Sequence, residues 1–164
     1  DYAEKLLARL SNFDIPAHKV ELEITEQSLS EHGANYVVRA LNLLKQAGIQ
    51  ISLDDFGTGH SSLTRLQDYP VDCIKIDRNF VERMNSDPSA LAIVKAITQI
   101  GSSIALDVLV EGIENTEQLD TLIHCDCQIG QGFYFYRPMA GASAQALLHP
   151  LVQEATIQQS CRQI

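Results

Sequence analysis

The sequence predicts an α/β fold of parallel strands alternating with crossover helices, and three observations predict it. Segments with a two-residue apolar period alternate along the chain with segments of helical period. Several strands carry apolar residues on one side and polar residues on the other, as in Ile49-Gln50-Ile51-Ser52-Leu53-Asp54. Polar residues with chemical potential also recur at the carboxyl ends of the strands, where α/β folds build their sites.

Leu6, Leu7 and Leu10 recur at helical spacing and predict a helix over 2–12, ending before Asp14-Ile15-Pro16. Val20 to Ile24 alternates as a strand. Gly33 to Ala47 carries Val37, Val38, Leu41, Leu44 and Lys45 in helical order up to a stop at Gly48. Ile49 to Leu53 is strand-like, Ser61 to Gln67 a short helix, and Cys73 to Ile76 a strand whose Ile74 and Ile76 oppose Cys73 and Lys75. Pro88 to Ile100 follows as a helix with Asp87 as its cap. Ile104 to Val110 reads as a strand and Thr116 to His124 as a helix beginning after Asn115. Phe133 to Tyr136 lies in or just after a last strand, before a helix near 142–149. About five strands result, joined by right-handed crossovers, with no low-complexity linker between them.

At 164 residues and 45% hydrophobic content, the chain makes one ordinary globular domain. Twelve Lys and Arg face 21 Asp and Glu, a formal charge of −9, and the positive residues are scattered. That balance argues against docking on duplex nucleic acid or an anionic membrane. Apolar runs such as Val108-Leu109-Val110 are far shorter than the ~18 residues of a membrane span, and no leader pattern precedes them. A cytoplasmic protein is expected. Cys73, Cys125, Cys127 and Cys161 lack CxxC spacing and read as reduced thiols. The chain opens at Asp1 directly into a helical pattern, which suggests a piece of a longer protein.

Glu23, Asp54 with Asp55, Lys75, Glu111 and Gln131 fall at or near the carboxyl ends of different strands. Any one of them alone would simply begin a solvated loop; five in register point to a shared pocket. Four carboxylates converging there, Glu23, Asp54, Asp55 and Glu111, with Lys75 in opposition, would repel strongly. At ~5 Å and an effective dielectric of ~20 each like-charged pair costs about 3 kcal/mol. Protons or cations must relieve this, and hard oxygen ligands favour Mg²⁺ or Mn²⁺. Two such ions can clamp an in-line displacement at phosphorus and supply hydroxide, with Lys75 orienting the water or neutralising developing charge. The loop Asp54-Asp55-Phe56-Gly57-Thr58-Gly59-His60-Ser61-Ser62 offers amides that could cradle phosphate, although a Gly-x-Gly turn is a weak signal. His60 reads as a surface loop residue.

The strings Glu21-Leu22-Glu23-Ile24-Thr25-Glu26, Asp54-Asp55-Phe56-Gly57-Thr58-Gly59, Lys75-Ile76-Asp77, Glu111-Gly112-Ile113-Glu114 and Gln131-Gly132-Phe133 together resemble, in order and spacing, the EAL domain family. The resemblance runs from the first helix to about Pro138. It implies a phosphodiesterase that linearises cyclic di-GMP to pGpG with two Mg²⁺ or Mn²⁺ ions on a modified TIM barrel. It implies that Glu23 and Asp54 hold the first metal, that Asp54 bridges to a second also held by Asp55, and that Glu111 serves that second side. By the same resemblance Lys75 contacts the reacting water and Gln131 helps hold the metal-bound water network. Glu114 would fix the loop containing Phe56, Gly57, Thr58 and Gly59. A homodimer through the Asp55–Ser62 loop region is implied, with a sensor or diguanylate cyclase domain an option for the full-length protein. A membrane-attached parent would keep this domain on the cytoplasmic side.

A complete TIM barrel takes about 250 residues and eight strands. The chain is therefore expected to be the C-terminal two-thirds of a single EAL domain, an incomplete (β/α)8 barrel. Its motifs span about 20–138, and 141–164 forms a helical tail. The Glu-Ala-Leu segment, an arginine that contacts substrate and an asparagine ligand would lie upstream, so little turnover is expected of these residues alone. His60, Val110 and Asn115 replace the family's usual tyrosine, alanine and threonine without removing a ligand. Two alternatives are a non-catalytic cyclic di-GMP receptor and a flavodoxin-like five-strand domain, and strand order distinguishes the latter.

Overall fold

A computed structural model describes residues 2–25, 28, 34–57, 66 and 69–148. Helix α1 (Tyr2–Asn12) and a 3₁₀ turn (Ala17–Lys19) lead into β1 (Glu21–Thr25). Then come α2 (Ala34–Gln46), β2 (Gln50–Phe56), β3 (Cys73–Ile76), α3 (Arg78–Arg83), α4 (Pro88–Ser103), β4 (Asp107–Val110), α5 (Thr116–Ile123) and β5 (Ile129–Gly130). Residues 141–148 form a further helix, α6. The expected helix over 61–67 falls largely outside the described residues, as do Gly33, Cys161 and the chain beyond 148. Among the described residues no helix is long and apolar enough to cross a membrane.

The five strands among the described residues are parallel and lie in the order β1-β2-β3-β4-β5, each beside its sequence neighbours. This is the wall of a (β/α) barrel; a flavodoxin-like sheet would run 2-1-3-4-5. The wall is open, with β1 and β5 at its edges. Ile51, Leu53, Ile74, Ile76 and Val110 are buried in the main core with Phe80 and Val81 of α3 and Val94 and Ile97 of α4. At roughly 1.5–3 kcal/mol for each fully buried large aliphatic side chain, this packing fixes the strands in register. A second cluster, Ala3, Leu44 and Ile49 with Leu6, Leu7 and Leu10, joins α1 and α2.

Capping defines several helix starts. Asp87 accepts from Ser89 N at 2.8 Å, and Pro88 supplies the first turn of α4. Asn115 and Gln118 form a capping box at α5. Helix α3 was not expected; Asp77 starts it by accepting from Asn79 N at 3.0 Å. The expected strand over 104–110 is shorter, beginning at Asp107. Helix α4 continues to Ser103, Ile104 closes it, and Ala105 takes a left-handed φ of 57° that breaks the extended run. The last strand is Ile129–Gly130, and Phe133 to Tyr136 follows it in turns that bond back to Gly132 O.

Strand β2 carries an irregularity that matters to the site. Leu53 pairs with Ile74 and Phe56 with Ile76, so three steps along β2 match two along β3. Asp55 absorbs the extra residue with φ 56°. Phe56 thereby returns to the core, 4% exposed.

Candidate active site

Register sets the side chains of the site in rows. Glu23, Ser52, Cys73 and Asp107 are paired in sequence across β1 to β4, so they share one face of the sheet. Two residues further along each strand, Thr25 pairs with Asp54 and Lys75 with Leu109. Ile74 and Ile76, flanking Lys75, point into the helical core, so Lys75 rises on the opposite face.

Lys75 is 5% exposed, and three carboxylates meet its ammonium. Nζ donates to Glu23 Oε1 at 2.7 Å and pairs with Glu111 Oε1 at 2.6 Å, and it lies 3.7 Å from Asp54 Oδ1. Burial by itself would pull the ammonium's pKa down. Hydrogen bonds to Glu111 and Glu23, and the charges of Glu111 and Asp54, outweigh it and hold the pKa above the usual lysine range. Asp55 lies close enough to feel Asp54, Asp77 and Lys75. Desolvation, then Asp54 and Asp77, raise its carboxyl, with Lys75 pulling the other way. Three carboxylates thus lie within 4 Å of one ammonium, and Asp55 stands near enough to feel the same charge.

Beneath them Ser52, fully buried, donates to Glu21. Burial, with the nearby Glu21 and Asp107 carboxylates, pushes the Cys73 thiol up to about 11 against a backbone hydrogen bond at Leu109 and the charge of Lys75.

The remaining expected residues are positioned by backbone. Glu111 follows β4 and is anchored by its N–H to Ile76 O at 3.1 Å. Gln131 follows β5, donating from N to Val110 O at 2.8 Å and accepting from Ile113 N at 3.1 Å. Its side chain is exposed. At the next residue, Gly132, a Cβ would collide with the Ile113 backbone, so this crossing requires glycine. Glu114 is exposed, and its N–H donates to Gln118 Oε1 at 2.8 Å. Phe56 is core, and Gly57 at φ 92° lies against Phe80 and Ile97. Thr58 and Gly59, with His60, Ser61 and Ser62, lie outside the described residues, so the contact expected between Glu114 and that loop does too.

Asp77 was not singled out, although the Lys75-Ile76-Asp77 string contains it. Its carboxylate accepts from the backbone and side-chain amides of Asn79, and its charge bears on Asp55.

Among the described residues no three His, Cys, Asp or Glu side chains are arranged to ligate one ion. Glu23, Asp54 and Glu111 come together around the Lys75 ammonium, whose three N–H donors attract the neighbouring carboxylates. The donor set still fits a hard divalent ion: every candidate ligand is a carboxylate oxygen, and the acids outnumber the ammonium.

Comparison with known proteins agrees with this fold. The EAL domain family model matches residues 1–138. The cyclic di-GMP phosphodiesterase RocR of Pseudomonas aeruginosa is 37% identical over 137 residues, covering 84% of this chain and 35% of that protein. The PaMucR phosphodiesterase, solved as a c-di-GMP complex, superposes with a TM-score of 0.81 and 33% identity over 86% of this chain and 57% of that one. BlrP1 of Klebsiella pneumoniae, solved as a manganese/cy-diGMP complex at pH 9.0, gives 0.75 and 28% over 82% and 34%. The chain spans 15–35% of the length of the curated relatives it matches. Ordered motifs, barrel-wall topology and a family match over most of its length agree: the chain belongs to the EAL domain family.

Proposed function

We propose that the domain containing these residues hydrolyses one phosphodiester bond of cyclic di-GMP to give linear pGpG, using two Mg²⁺ or Mn²⁺ ions. The observation that carries this reading is the meeting of Glu23, Asp54 and Glu111 on Lys75 at the strand ends of an EAL-type wall. Relatives named as cyclic di-GMP phosphodiesterases, and neighbours solved with manganese or calcium and the dinucleotide, support it.

Glu23 and Asp54 would hold the first ion, and Asp54, Asp55 and Glu111 the second. When bound, such ions lower the pKa of a water and neutralise phosphate charge. Lys75 keeps its proton at neutral pH, so it offers a fixed positive charge to phosphate oxygens and a donor to the attacking water. Gln131 orders water at the same end. Glu114 steadies the loop from Phe56 and Gly57 to Thr58 and Gly59, and the Asp55–Ser62 region forms the contact with a second copy. A sensor or diguanylate cyclase domain elsewhere in the full-length protein would regulate a cytoplasmic active site.

The 164 residues by themselves are expected to show little or no turnover. Among the described residues five strands form an open wall, and the resemblance places further ligands on preceding strands. Purified full-length protein with Mn²⁺ should convert cyclic di-GMP to pGpG, followed chromatographically. Binding without conversion would replace the enzyme with a receptor, and enzyme-like turnover by the 164 residues alone would overturn the expectation of inactivity.

A further inference from the structure

We propose that Lys75 competes with a divalent ion for the carboxylates of the site, and that Glu23 is the residue that changes partner. Resting on the metal-binding reading above, the inference adds a rule for how the ion enters. Nζ of Lys75 takes Oε1 of Glu23 at 2.7 Å and Oε1 of Glu111 at 2.6 Å, and it reaches towards Asp54 Oδ1 at 3.7 Å. These acids are the ones an ion would use. An ammonium and a divalent ion served by the same oxygens repel across a few Å, well inside the distance at which salt screens charges.

The lysine cannot withdraw far. Its backbone lies in β3 between the fully buried Ile74 and Ile76, and its side chain is 6% exposed. The adjustment therefore falls on the acids. Glu23, with its side chain 52% exposed, has room to turn; Asp54 and Glu111, at 27%, have less. Glu23 passes from the ammonium to the ion, while Glu111 keeps its bond to Lys75. Lys75 thus holds mutually repelling acids together and also weakens the affinity of the ion that they bind.

The test is titration of the full-length protein with Mn²⁺ by calorimetry. Lys75→Met, which keeps the stem and removes the charge, should bind Mn²⁺ about tenfold more tightly than wild type, and Lys75→Arg should not. Unchanged or weaker binding by folded Lys75→Met overturns the proposal. Should that variant fail to fold, lysine side-chain ¹⁵N resonances of the wild type are followed during Mg²⁺ titration. The Lys75 Nζ signal should move with the binding midpoint; a signal unmoved at saturation overturns the proposal. Asp54→Asn separates the two levels. If it binds Mn²⁺ as wild type does, the metal-site reading itself fails.

Discussion

Lys75 donates to Glu23 at 2.7 Å across 52 residues of sequence, with the whole of β2 between their strands. Strands two apart in a sheet are separated by about 10 Å, so the bond needs two long side chains and nothing bulky beneath them. Ser52 meets the second condition. It stands beside Glu23 in the pairing register, fully buried, with its hydroxyl turned to Glu21.

Ser52→Leu should therefore break the bridge by filling its floor. Overpacking of this kind costs about 1–3 kcal/mol, visible as a lower urea midpoint. Ser52→Ala, which keeps the space, should preserve the Lys75 to Glu23 contact and lose only the bond to Glu21.

On the proposed two-ion reading, Asp54→Asn in the full-length protein should reduce conversion of cyclic di-GMP by more than about a hundredfold, because a neutral amide is a poor substitute for a carboxylate shared by two ions. Binding of the dinucleotide, measured by calorimetry, should survive. Equal loss of binding and turnover would assign Asp54 a folding role instead.

The pH dependence of the Lys75 network follows from its raised pKa. A group held above its unfolded value contributes stability fully below that value, about 10.5, and loses it as pH rises through the folded value. The difference in urea midpoint between wild type and Lys75→Met should stay level from pH 7 to about pH 10 and shrink only above. Shrinkage already complete at pH 9 would contradict the ion-pair geometry.

Cys73 should be slow to alkylate. With its thiol near 11, only about one molecule in a thousand is thiolate at pH 8, far fewer than for an exposed cysteine. Iodoacetamide labelling followed by peptide mass spectrometry should show Cys73 reacting at least about tenfold more slowly than a free thiol, and denaturation should remove the difference.

Much of this architecture was legible in the sequence because period and punctuation agree with burial. The helices starting at Tyr2, Pro88 and Thr116 and the strand from Cys73 to Ile76 match the apolar spacing closely. What escaped depended on backbone geometry. Left-handed Ala105 trims β4, the six residues of α3 are too few for a helical period to register, and the extra residue at Asp55 interrupts the alternation of β2. Sequence position brought the acids to the strand ends. The convergence of the acids with Lys75 was legible; that its ammonium would bond directly to Glu23 and Glu111 was not, because it depends on side-chain reach between strands.

The additional residue in β2 has a consequence for engineering. In an evenly pleated strand two consecutive aspartates would face away from each other, one of them into oil. Here a single left-handed step cancels half a pleat, so adjacent letters of the sequence can serve one cleft while Phe56 still reaches the interior. Asparagine tolerates that step as well as aspartate does. Asp55→Asn would therefore erase a charge and leave the shape intact, whereas deleting the residue would restore an even pleat, keep Phe56 opposite Ile76 and remove the second acid from the cleft.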